Sequence, residues 1–242
     1  MSPEKTYHIG TSGWNYSHWR TLFYPEGLPQ KGWLRFYASR FDTVEINYSF
    51  YRWPSEKTMQ NWYKTAPENF QFTLKAPRTI SHIKKFKDVS EKVQEFYRLT
   101  DLLKEKAACH LFQLPPSIRY NEKNFQIIEL FCETLDPQRK NVIEFRDPTW
   151  WYEQVYALLK KYNVAFCITS GLEMPEEIIV TSDMAYFRFH GENYSTNYSK
   201  EELTKYARIM QDLDCERVYA YFNNDANAYA PYNAEALRTL LK

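Results

Sequence analysis

Glu45 in TVEIN, Lys75 in FTLKA, Glu144 and Arg146 in IEFR, and Arg188 and His190 in FRFHG each interrupt a run of β-branched and aromatic residues. Side chains alternate between the two faces of a strand. The polar residues of each run therefore share one face. Val44 and Ile46 lie opposite Glu45 and Asn47, and Phe72 and Leu74 opposite Lys75. Ile143 and Phe145 lie opposite Glu144 and Arg146, Phe187 and Phe189 opposite Arg188 and His190, and Phe222 opposite Asn223, while Gln113 is in frame with Leu111. A buried carboxylate is costly unless it is paired or used. Glu45 and Glu144 thus require cations, and Lys75, Arg146 and Arg188 are the candidates. Buried ion pairs stabilise weakly compared with apolar packing. A whole layer of them points to a ligand or catalytic site more than to a structural polar core.

Two carboxylates in unlike surroundings can divide the roles of general acid and base. Lys75, Arg146 and Arg188 would then stabilise charge, or bind a phosphate or substrate carboxylate. His82 and His190 are candidate proton carriers, because imidazole titrates near neutral pH, whereas His110 fits a core position facing the helices. Glu45, Glu144 and His190 are the one set that could hold Mg, Mn or Zn. Three competing cations make that reading the weaker one, so no metal site is assigned. Trp14, Tyr16, Trp19, Tyr51, Trp53, Trp150 and Trp151 cluster after three of the strand-like runs. They form either a stacking wall for a sugar ring or base, or a hydrophobic lid.

The elements that carry these residues are strand-like runs at 7–14, 43–47, 70–76, 108–115, 141–146, 164–170, 185–191 and 217–224. Helical patterns lie between most of them, with Asn121 and Ser199 available as N-caps and a start at Ser90. Eight strands alternating with helices over 242 residues predict an α/β fold, a (β/α)8 TIM-type barrel spanning 1–242 as one domain. An open doubly wound sheet is the runner-up, but the glycine-rich phosphate turn after the first strand is missing. GLEMPEEIIVTSD is too short and proline-broken for a helix, so the connection between strands six and seven should be irregular. The formal net charge is +1, hydrophobic residues make up 44% and charged residues 25%, so nothing in the bulk favours a polyanion or a membrane. The four cysteines form no metal-binding spacing, and three lie in apolar runs. The N-terminus has no apolar signal region, which makes the cytoplasm the expected compartment.

Several of these stretches carry a family resemblance: GTSGW (10–14), FYP (23–25), VEINYSFYRWP (44–54), FTLKAPRTISH (72–82), FQLPPS (112–117), IEFRDPTWW (143–151), FRFHG (187–191) and YFNN (221–224). In this order they resemble the YecE-like family, domain of unknown function 72. The resemblance implies a (β/α)8 barrel. It adds Trp14, Tyr51, His82, Trp150, Gly191 and Asn224 to the strand-end candidates Glu45, Asn47, Lys75, Gln113, Glu144, Arg146, Arg188, His190 and Asn223. Gly191 would let the backbone approach a ligand after strand seven. Many relatives end strand six with Asp-Ser where this chain reads Thr169-Ser170. The expectation is an enzyme acting on a small polar or anionic ligand, such as a sugar phosphate or nucleotide fragment, by carboxylate and histidine acid–base chemistry. Glu45, Lys75, His82, Glu144 and His190 would be catalytic, and the other candidates would bind the ligand. A nucleic-acid-binding barrel is possible but not favoured. A non-catalytic ligand-binding module stays open, and the sequence assigns no cofactor or oligomeric state.

Overall fold

The computed structural model describes residues 5–242. The strands are β1 (Thr6–Thr11), β2 (Thr43–Ile46), β3 (Gln71–Lys75), β4 (Ala107–Gln113), β5 (Lys140–Glu144), β6 (Val164–Gly171), β7 (Met184–Gly191) and β8 (Arg217–Phe222). All are parallel, in the order β1-β8-β7-β6-β5-β4-β3-β2. The helices are α1 (Trp33–Arg40), α2 (Tyr48–Tyr51), α3 (Glu56–Thr65), α4 (Ser90–Thr100), α5 (Glu122–Thr134), α6 (Glu153–Lys161), α7 (Lys200–Asp212) and α8 (Tyr229–Leu240). The fold is the expected α/β barrel, nearly closed. Residues 172–183, between β6 and β7, form no helix.

The seam between β1 and β2 explains how the circle is completed. One parallel bridge, Ser12 to Glu45, joins the two strands there. Where further ladder bonds would stand, α1 inserts Tyr37. Its hydroxyl accepts from the Thr11 N–H at 2.9 Å and donates to the Thr43 carbonyl at 3.1 Å. Gly10 makes that close approach possible, since a Cβ there would lie 2.3 Å from the Thr43 carbonyl oxygen.

Outward side chains such as Val44, Phe72, Ile143 and Phe187 join the helices in the main apolar core. A separate inner cluster of Leu111, Val142, Ala165, Cys167, Met184, Tyr186 and Tyr221 fills the lower barrel. Within it the Tyr221 hydroxyl meets Thr43 and Thr73 at 2.7 and 2.8 Å. The polar residues begin one level above, toward the strand carboxyl ends.

Local signals account for the helix ends. Ser199 and Glu202 form a capping box on α7, and Asn121 caps α5 by accepting from the Asn124 N–H. The helical pattern from Ser90 stops earlier than its apolar spacing suggests. It tightens to a 3-10 segment, Asp101–Lys106, in which Lys104 has φ 51°. Several strands are also shorter than their apolar runs: Arg146 and Asn223 lie beyond the ends of β5 and β8. His110 is a core residue, bonded to Thr100 at 2.9 Å, and burial pulls its imidazole down to about 3. Cys109, Cys132 and Cys167 are buried free thiols. No helix among the described residues is long and apolar enough to cross a membrane.

Candidate functional site

The carboxyl ends of the strands surround a cleft of ≈ 650 Å³. Lys75, Arg78, Arg146 and Arg188 give it four cations, and Gln113, Asn47 and Asn223 add amides. Tyr16, Phe50, Tyr51, His82 and Tyr194 complete the wall.

Glu45 and Glu144 do not line this cleft. They are fully buried beneath it, joined through Arg188. Arg188 Nη1 donates to Glu144 Oε2 at 2.6 Å, and Nη2 donates to Glu45 Oε1 at 2.6 Å. The second oxygen of Glu45 accepts from the Tyr186 hydroxyl at 2.6 Å, and that of Glu144 accepts from Arg146 Nε. Every carboxylate oxygen therefore has a donor. Burial works against the charge on Glu144, but Arg146, Arg188 and the His190 hydrogen bond outweigh it and hold the group well below the ordinary carboxylate range. Gln113 Oε1 accepts from Arg146 and Arg188 at 3.3 and 3.4 Å, locking the two guanidinium groups together.

His190 is also beneath the floor. Its Nε2 lies 3.3 Å from Glu144 Oε1, and its Nδ1 lies 3.2 Å from Asn223 Nδ2. With the asparagine amide as donor, this arrangement fits the neutral Nε2–H tautomer. Burial agrees, pulling the imidazole down to about 3. Among the described residues no three His, Cys, Asp or Glu side chains converge as metal ligands. For Glu45, Glu144 and His190 the reason is visible: the Arg188 guanidinium stands between the carboxylates.

Lys75, the last residue of β3, differs from the arginines. Among the described residues its amine makes no hydrogen bond or ion pair, and it lies 4.3 Å from the centre of the Phe50 ring. Burial, and then Arg188, push it down to about 7, with Glu144 and Glu45 pulling the other way. His82 sits in a single π-type turn, Thr79–Ile83, edge-on to Phe50 at 4.7 Å. Burial and the charges of Lys75, Arg78 and Arg146 bring it to about 4. Arg78 has no carboxylate partner among the described residues.

Tyr16, Asn47 and Tyr51 also belong to a second pocket of ≈ 430 Å³, completed by Trp14, Tyr48 and Trp62 among others. Tyr51 is 75% exposed. Trp14 meets Trp62 edge-on at 5.4 Å. The remaining aromatics of the sequence cluster act as a lid or as core. Trp19 is buried among Phe23, Tyr24 and Tyr37, and Trp53 and Trp151 pack on Phe96 and Phe166.

Three candidates stand away from the cleft, each for a structural reason. Trp150 is fully buried, stacked on Phe145 at 4.7 Å with its indole N–H on the Ile118 carbonyl at 2.7 Å. Gly191 has φ 62°, and its N–H donates to Tyr198; a Cβ there would meet Thr196 at 2.9 Å. Its freedom serves the turn after β7. Asn224 donates to the Thr196 carbonyl at 2.8 Å and to Asn233 at 2.7 Å, tying two loops together. Conversely, Phe50, Arg78, Tyr194 and Tyr186 were not among the candidates. Tyr186 shares the inward frame of Arg188 and His190, which is a usable signal. The other three follow strand ends, where no periodicity marks them.

The family model described as a protein of unknown function, DUF72, matches residues 8–242. The chain belongs to this family. It is 26% identical to the UPF0759 protein YunF of Bacillus subtilis strain 168, over 97% of this chain and 94% of that protein. A match to the UPF0759 protein YecE of Escherichia coli K12 is 25% identical and spans 60% of this chain and 50% of that protein. The crystal structure of a DUF72 family protein from Thermotoga maritima MSB8 is 29% identical and superposes with a TM-score of 0.90, over 98% of this chain and 99% of that one. The resemblance read from the motifs and the barrel expected from the strand count thus hold together.

Proposed function

We propose that this DUF72 barrel is an enzyme acting on a small anionic ligand, held by the cationic wall of the strand-end cleft. The observation that carries the reading is the division of charge between two levels. Glu45 and Glu144 lie below the floor and are saturated by Arg188, Arg146 and Tyr186. Lys75 and Arg78 remain on the wall without an acid partner among the described residues. Guanidinium groups bind carboxylate and phosphate in two-point fashion, and a half-enclosed site strengthens such contacts relative to bulk water.

On this reading the acid–base roles move. Glu45, Glu144 and His190 orient and charge-balance the arginines. Lys75, about half neutral at pH 7, and His82, neutral there, are the groups able to carry a proton at the ligand. The cleft volume suits a metabolite more than a nucleic-acid duplex. The adjoining aromatic pocket offers a face to a ring on the same ligand.

Thermal shift and calorimetry with inorganic phosphate, ribose 5-phosphate, a nucleoside monophosphate and simple carboxylates test this. A binding anion at a hundred times its dissociation constant should stabilise by about 2.7 kcal/mol. At the size of this chain, that raises Tm by roughly 5–10 °C. The response should vanish in Lys75→Met and Arg78→Ala proteins that retain parental circular dichroism. Equal responses in parent and variants, beyond a sodium chloride control, would sink the proposal.

A further inference from the structure

We propose that Lys75 forms an imine, and that the anion entering the cleft carries an aldehyde or ketone, as a 2-oxo acid does. The inference rests on the anion-site reading above and goes further by naming the ligand's reactive group. A lysine kept only for its charge would be expected beside a carboxylate. The two carboxylates near Lys75 are committed elsewhere, one to Arg188 and Tyr186 and the other to Arg188 and Arg146. The amine is left half-buried, free of hydrogen bonds among the described residues, at the strand carboxyl end where barrel ligands bind.

Its surroundings favour the nucleophile. Burial and the neighbouring Arg188 bring the amine to about 7, so near half of it is neutral at pH 7. An ordinary lysine is neutral in roughly one molecule in 2,500 at that pH. Desolvation beside other cations is an established way to activate an amine toward carbonyls.

The step balances without a co-reactant. The Lys75 nitrogen lone pair attacks the carbonyl carbon, and the π pair moves to oxygen. A proton passes from nitrogen to that oxygen, for which the neutral His82 imidazole on the same wall is a suitable relay. The carbinolamine hydroxyl then takes a second proton from solvent in the open cleft and leaves as water while the nitrogen pair closes the C=N bond. The product is a protonated imine. Its positive charge lies against the Phe50 ring, which favours a cation on its face. Arg78, on the same wall and without a carboxylate partner among the described residues, would hold the substrate's carboxylate.

Reductive trapping tests this on the full chain. The protein is incubated with glyoxylate, or with pyruvate, and sodium cyanoborohydride at pH 7, then mapped by mass spectrometry. One adduct is expected on the peptide containing Lys75, forming on the order of a hundredfold faster than on other lysines, with a half-maximal rate near pH 7. Lys75→Arg should lose the adduct. Stabilisation by anions without preferential labelling of Lys75 in the parent protein overturns the imine and leaves the anion site standing. Labelling of Lys75 as fast by propanal as by glyoxylate overturns the anionic substrate, and the absence of both effects overturns both readings.

Discussion

Arg188→Met asks what the buried network contributes to the fold. Arg188 is 1% exposed and makes two charge-assisted bonds of 2.6 Å, one to each glutamate. Its removal leaves Glu144 paired with Arg146, but leaves Glu45 with the Tyr186 hydroxyl alone. Breaking one side of a buried pair costs about 3–5 kcal/mol, because the remaining charge is left without a partner. For a chain of this length each kcal/mol moves Tm by about 2–4 °C, so a fall of roughly 6–20 °C is expected at pH 7. The pH dependence supplies a second check. Glu144 is held below the ordinary carboxylate range, so its contribution is present above the unfolded value near 4.5 and is lost as pH falls through the folded one. Arg188 is part of what depresses it, so the gap between parent and variant should narrow as pH drops below about 4. The assay is thermal or urea unfolding followed by circular dichroism at pH 7, 5 and 3.5. A variant within about 2 °C of the parent at pH 7, or a gap that widens toward acid, would refute the reasoning.

Two further substitutions probe the seam and the charge balance. Gly10→Ala should destabilise by roughly 1–3 kcal/mol in urea titration, since its Cβ would lie 2.3 Å from the Thr43 carbonyl and force β1 from β2; an unchanged midpoint would count against the seam as described. Thr169 pairs in register with Arg188 across β6 and β7, and Thr169 Oγ1 and Arg188 Nε are both buried without a partner among the described residues. Thr169→Asp adds a carboxylate there. It should raise the Lys75 amine, moving the labelling profile to higher pH, and weaken anion stabilisation; a profile that stays put or moves down would refute this attraction between the two positions.

The barrel was legible because its evidence is repetitive. Eight apolar runs, six of them violated on one face, are hard to produce any other way, and Glu45, Glu144, Arg146 and Arg188 stood out among the violations. Period two reveals the face of a strand but not the depth along the barrel axis. Glu45, Glu144 and His190 therefore looked equivalent to Lys75, although they lie below the cleft floor and Lys75 lies on its wall. Motif membership was similarly blind to purpose, since Trp150, Gly191 and Asn224 belong to the matching stretches yet pack, turn and tether. Arg78, Phe50 and Tyr194 lie on loops, where no alternation could single them out. Depth changes the chemistry that the residue types suggested. Two glutamates at one level with a lysine form an acid–base set. The same glutamates one level down, each oxygen already bonded, hold two arginines in place and leave the lysine unpaired among the described residues. On the proposed function, the carboxylates that first drew attention to the site act through what they deny Lys75.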